Sequence, residues 1–285
     1  LKNNKLTLKL AAILIDISGY IPRLLVRHDN SVIIPASIKN PQRYNSFITG
    51  VFVMRDILAT IRKKKAALLD HPVFPQLEAV TLPQIKEMMR VWSPLLIHLA
   101  MTFRDINRMY YHYEKPENDL QNAINDHVDV DSEHWRMMVS DIKTLGVNGR
   151  AVDCESAIDV IWDDLGAPVR KYMYSLVSRA RRCGDCPLLK MASMEAGEAT
   201  SKVFFTTSRK LAAAYEADTG HTLRYLGAEH IDSELDHAIN ESIFFDQRLS
   251  ADKQADALSI VDDHFRSFLA FLDYKYEVNK LALAN

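Results

Sequence analysis

The densest run of chemistry-bearing side chains is His230-Ile-Asp-Ser-Glu234-Leu-Asp-His237. On a helix, positions i, i+4 and i+7 share one stripe. Two imidazoles and a carboxylate therefore project the same way, a set suited to Fe(II) or a related first-row metal. The embedded Glu234-x-x-His237 also has the helical spacing used in di-iron carboxylate bundles. The plainer alternative is a solvated polar face, in keeping with the neighbouring Glu229, Asp232 and Asp236. A metal site would need ligands from other elements too. Glu195 and Glu198 stand one turn apart, and Glu198 shares a side with Met191, Met194 and Phe205. A carboxylate on an apolar stripe is costly to bury unless it is ion-paired or metal-bound. A third supply is Asn125-Asp126-His127…Asp131-Ser-Glu-His134-Trp135, where Trp135, Met137 and Met138 read as core immediately after His134.

The elements that must position these groups read as helices. The chain has 285 residues with 35 Lys+Arg, 37 Asp+Glu and only 9 Gly. That glycine count is well under the usual share of about 7% and leaves little room for phosphate loops or a doubly wound sheet. A net charge of −2 argues against electrostatic attraction to nucleic acid or an anionic membrane. Three cysteines cannot form a disulfide scaffold, so a cytoplasmic location is expected. Leu8–Ile17 is interrupted by Lys9 and Asp16, falls short of the ~20 residues of a membrane span and lacks a small-residue cleavage site.

Residues 1–40 read as an N-terminal arm with one short helix near Leu8–Ile17 and an extended stretch at Ser31–Ser37. Residues 41–285 read as one all-α domain, a multi-helix bundle. Apolar spacing of three and four predicts helices over Pro41–Leu69, Pro83 to about Tyr113, Glu117–Val128, Glu133–Leu145, Ser156–Leu165, Pro168–Arg182, Pro187–Thr219, Thr222–Leu249 and Ser250–Leu281. His71–Ala79 reads as a turn and Val128–Ser132 as an acidic turn.

Other signals carry less. Cys183-Gly-Asp-Cys186 has no second pair and no nearby His pair, so two incidental thiols explain it better than zinc or redox exchange. Cys154, His28 and His71 lie in poor contexts for a nucleophile or a haem ligand. Lys63–Lys65 and Arg179-Ala-Arg181-Arg182 read as solvated helix ends. Phe204, Phe205, Tyr215, Met138 and Trp92 are candidate pocket walls, though most of them read more simply as plain core.

Taken in order, His71-Pro-Val-Phe, His134-Trp…Leu145-Gly146, Glu198 (or Glu195) and Tyr225-Leu…His230-x3-Glu234-x2-His237 resemble the haem-oxygenase-like di-iron oxidase/oxygenase superfamily. These iron-containing redox enzymes share the haem oxygenase/TenA bundle. The resemblance covers roughly residues 65–245, and its most specific motif is the last. It implies a seven-helix-type bundle holding two irons, or one or none if the site is degraded. The implied ligands are His134, Glu198, His230, Glu234 and His237, with Asp126 and Glu195 as further candidates. It implies a non-haem iron oxidoreductase whose partners are O2 and a small organic substrate, with neither nucleic acid nor membrane, and a homodimer is compatible with it. Members perform N-oxygenation, desaturation, C–C scission or decarboxylative chemistry. Two positions depart from the pattern. The family's middle acid is commonly Asp where this chain has Glu234. Its Glu upstream of His134 is replaced by Asp126, His127 or Asp131. The competing expectation is a non-catalytic relative that binds a small ligand or a partner chain without metal.

Overall fold

The computed structural model describes residues 25–26, 32–33, 52–146, 154–236 and 239–283. The chain divides into two units, Leu1–Gly50 and Val51–Asn285. In the first, Leu25–Val26 (β1) pairs antiparallel with Val32–Ile33 (β2), Val26 opposite Val32. β2 falls within the stretch expected to be extended; the helix expected near Leu8–Ile17 lies outside the described residues.

Among its described residues the second unit is all-α, with one two-residue strand pair. Phe52–Val53 (β3) leads into α1 (Met54–Leu68), followed by α2 (Val73–Glu78) and the long α3 (Leu82–Ile106). Residues 41–51 of the first expected helix lie outside the described set. His71–Ala79 is more helical than expected, because His71 Nδ1 accepts the Val73 N–H (3.2 Å) and so opens α2. Gln84 of the first α3 turn reaches back to the Thr81 N–H (2.8 Å), half of a capping box. At its far end α3 passes into a π turn, Asn107–Tyr111.

Next comes α4 (Asp119–Asp131), capped by the Asn118 side chain, which accepts the Gln121 N–H (3.0 Å). The expected acidic turn at Val128–Ser132 is mostly helix. The turn proper is Ser132–His134, before α5 (Trp135–Thr144). That extra turn puts Asp131 on the same face as His127. α6 (Cys154–Trp162) and α7 (Ala167–Cys183) follow, joined by a 3-10 turn at Asp164–Gly166. α8 (Pro187–Thr219) has the expected bounds, and α10 (Ala251–Leu283) runs two residues past its expected end. α8 packs along α10 and α1, while α3 packs on α7 and α5.

Between α8 and α10 the continuous helix expected over Thr222–Leu249 is broken. α9 covers only Ala228–Asp236, and a 3-10 turn at Glu241–Ile243 leads to β4 (Arg248–Leu249), which pairs with β3. The cause lies in the segment ahead of α9. Gly220, at φ 69°, closes α8 in the left-handed conformation that favours glycine. Beyond it the Leu223 N–H is taken by Glu216 (2.9 Å). The N–H groups of Arg224, Tyr225 and Leu226 all donate to the buried Asp141 of α5, at 2.6, 2.9 and 2.9 Å. Backbone donors committed to a side chain cannot also extend a helix. At Gly227 an added Cβ would stand 2.0 Å from the Leu223 carbonyl oxygen, so only glycine fits.

Asp141 is thus the anchor from which α9 is launched. Burial pushes its carboxyl up to about 6, against the pull of the three N–H donors. A carboxyl raised in the folded state holds its proton more tightly there, so this group makes stability fall as pH rises from about 4 to 6. Asp141→Ala leaves three buried donors without their acceptor and is expected to cost on the order of 3 kcal/mol or more. It should also erase that component of the pH dependence. Chemical denaturation from pH 4 to 7 checks both, and a loss below about 1 kcal/mol would show that the segment is held by other means. Gly227→Ala is expected to destabilise through the clash with Leu223.

Candidate metal centre

Four elements converge inside the second unit. α4 contributes His127 and Asp131 one turn apart, and α8 contributes Glu198. His134 stands at the start of α5, and α9 contributes His230 and Glu234 one turn apart. Their ligand atoms form two groups, His134–His230–Glu234 and His127–Asp131–Glu198, each within 4.8 Å. Glu234 Oε1 lies 3.2 Å from His134 Nδ1 and 3.1 Å from His230 Nε2. His127 Nε2 lies 3.5 Å from Asp131 Oδ2 and 3.6 Å from Glu198 Oε1. Asp131 joins the two groups: its other oxygen is 3.4 Å from His134 Nδ1.

The imidazoles are oriented from outside the cluster. His230 Nδ1 donates to the Tyr225 carbonyl (3.1 Å), and its ring stacks on Tyr225 (4.6 Å, 18°) with Phe205 edge-on at 4.2 Å. His134 Nε2 lies 3.3 Å from Ser233 Oγ, so a proton placed there leaves Nδ1 as the inward nitrogen. The inward nitrogens, His230 Nε2 and His134 Nδ1, face each other at 3.2 Å. An outer hydrogen bond that fixes the tautomer, with the inner lone pair left for an ion, is how metal-ligating histidines are usually held. Two inward nitrogens and a carboxylate oxygen so close together want a proton or a cation between them.

The charges say the same. Burial, then the charges of Glu234 and Asp131, pushes the Glu198 carboxyl well above its ordinary value. Glu198 Oε2 is buried and makes no hydrogen bond, the Lys202 ammonium standing 3.9 Å away. For Glu234, burial and the Asp131 charge push upward, but without a cation, when the inward nitrogens carry protons, the hydrogen bonds from His134 and His230 prevail and hold it down at about 2. Burial disfavours the His134 imidazolium, yet its bond to Glu234 and the charges of Asp131 and Glu234 lift its pKa overall. Carboxylates and imidazoles in this number fit a hard-to-borderline divalent cation in each group.

The sequence-derived candidates fall as follows. His134, His230, Glu234 and Glu198 come together. Of the three alternatives upstream of His134, His127 and Asp131 join the cluster, while Asp126 is exposed and belongs to neither group. Glu195 also lies outside both groups, lining a separate polar cavity with Glu198, Lys202 and Glu241. His237 lies outside the described residues. His71 is far from the chemistry in role: it caps α2 and pairs with Asp273 (3.1 Å). Cys183 and Cys186 are free thiols, Cys183 buried.

Sequence reasoning missed two supports. Asn107, on the π turn, aims its amide at Asp131 Oδ2 (3.4 Å), and π turns recur at functional sites. Asp141 was read only as part of a helix, since its three backbone partners are 83 to 85 residues away.

A cavity of about 650 Å³, counting its mouth, borders the cluster on one side. Phe204 and Phe205 line it. Tyr215 and Met138 are buried core, and Trp92 sits one layer behind, its ring 5.7 Å from that of Phe204. No protein-family model and no curated protein matches this chain, which leaves the geometry of these side chains as the guide to what it does.

Proposed function

We propose that the protein is a non-haem iron oxidase or oxygenase acting with O2 on a small organic substrate, a member of the haem-oxygenase-like di-iron superfamily. The observation that carries this reading is the pair of buried His/carboxylate groups joined through Asp131 beside an apolar cavity. His134, His230 and Glu234 would hold one ion, and His127, Asp131 and Glu198 the other. Reduced iron there would supply the site for binding and reducing O2. The chain's own residues do the rest. The Tyr225 carbonyl fixes which His230 nitrogen faces inward, Ser233 contacts the outer nitrogen of His134, and Asp141 holds the segment that aims α9. The aromatic walls keep bulk water from the cluster, so its charges act in a low-dielectric setting.

The competing reading is a metal-free ligand-binding relative. It draws on one observation: His134, His230 and Glu234 lie within hydrogen-bonding reach of one another, so a shared proton satisfies them without an ion.

Metal analysis of the whole protein separates the two. Purified anaerobically with Fe(II), it should hold about two Fe per chain, and less than about 0.2, with no uptake of added Fe(II), would leave only the metal-free reading. His230→Ala should remove at least the iron held with His134 and Glu234, about half of the total, and Cys183→Ala should leave it unchanged. Full iron retention in the His230 variant would show that the ligands are assigned wrongly.

Iron affinity should also depend on pH. Glu198 and His134 hold their protons above the ordinary range, so an incoming cation must displace them. The sign follows: affinity falls as pH drops from about 7 to 5, by up to about tenfold per pH unit for each proton displaced. Competition titrations with a chromophoric chelator measure it, and a flat profile would contradict the assignment.

A further inference from the structure

The cavity beside the cluster carries information about what enters it. Its walls are aromatic and interlocked. Tyr172 stacks on Phe271 (5.3 Å, 20°), Phe268 and Phe204 pack on the same Phe271 ring (5.7 and 6.1 Å), and Phe103 faces them from α3. Among the described residues lining it there is no lysine and no arginine, and the acids are those of the cluster itself. The few polar groups are already committed or neutral. Arg179 donates to His264 Nδ1 (3.3 Å), which leaves the proton on Nε2 for Thr200 Oγ1 (2.8 Å), and the Thr200 hydroxyl donates on to the Gly197 carbonyl (2.9 Å). Among the lining residues, Trp135 carries an indole N–H that is buried with no hydrogen-bond partner. A buried N–H without an acceptor is costly and is relieved by a ligand oxygen that comes within reach of it.

We infer that this cavity binds a small molecule with an aromatic or hydrocarbon body and a neutral oxygen acceptor, and that it rejects ammonium and guanidinium compounds. The body is drawn in by burial of apolar surface against the rings. A cationic head would lose its hydration with no anion to meet it, because in the loaded protein the cluster's acids are engaged by the ions. That last step, and the identity of this ligand as the substrate, rest on the metal reading. The affinity for a neutral apolar ligand does not.

The test is calorimetric titration of the full chain loaded with Zn(II), which is redox-inert, using two probes that differ only in the head group. 4-Phenylbutan-1-ol should bind at least about tenfold more tightly than 4-phenylbutylammonium. Equal or tighter binding of the ammonium, or no binding of the alcohol, overturns the inference. Trp135→Phe should weaken the alcohol about threefold or more while leaving zinc content unchanged. Ala100→Phe, which fills the cavity from α3, should weaken it at least about tenfold, and Ser201→Phe does the same from α8 if the first variant fails to fold. Unaltered affinity in a folded cavity-filling variant places the ligand elsewhere. The alcohol is titrated into metal-free protein as well. Binding there by a protein that never retains zinc fails the metal reading and leaves the cavity's ligand standing.

Discussion

Carboxylates repel one another, and inside a protein water is not there to screen them. Asp131, Glu198 and Glu234 are brought together within an apolar bundle, and most of the surrounding architecture answers that constraint. His127, His134 and His230 are interleaved with the acids at 3.1 to 3.6 Å. Lys202 approaches Glu198 no closer than 3.9 Å. The response of the acids is uneven: Glu234 is held ionised by two imidazoles, while Glu198 is driven toward its protonated form. Such an imbalance is what a site that trades protons for cations would show before it is loaded.

The cluster depends on a chain of backbone placements. α4 continues a turn further than its acidic sequence suggested, and that turn aligns Asp131 with His127. The π turn after α3 carries Asn107 to the far side of Asp131. Asp141 and Gly227 together end the chain's return from α8 and set the start of α9, which carries both His230 and Glu234. Since Tyr225 is tied to Asp141 through its N–H and to His230 through its carbonyl, backbone anchor and ligand orientation are one connected network.

Much of this was legible in the residues. The bounds of α8 followed from Pro187 at its start and Gly220 at its end, and the i, i+4 pair His230/Glu234 followed from helical period alone. The ambiguity over Asp126, His127 and Asp131 could not be resolved by spacing. It turned on whether Val128–Ser132 was helix, and residues 128–131 are weak helix formers of which Val128 packs into the core while Asp129 and Val130 stay exposed. The break between α8 and α9 was invisible for a related reason. Local periodicity continues through Thr222–Leu249, and what interrupts it is a hydrogen-bond acceptor in another helix, Asp141. Long-range side-chain-to-backbone contacts leave no periodic trace, so they are the part of a site that a sequence hides best.

The central claim is that two cations sit in this cluster, one in each group. Anomalous diffraction from a crystal of the Fe(II)-loaded protein, collected either side of the iron edge, tests it most directly. The account predicts two iron peaks, one among His134, His230 and Glu234 and the other among His127, Asp131 and Glu198. A map with no iron peak at either position, in a crystal that holds iron elsewhere or not at all, would contradict it.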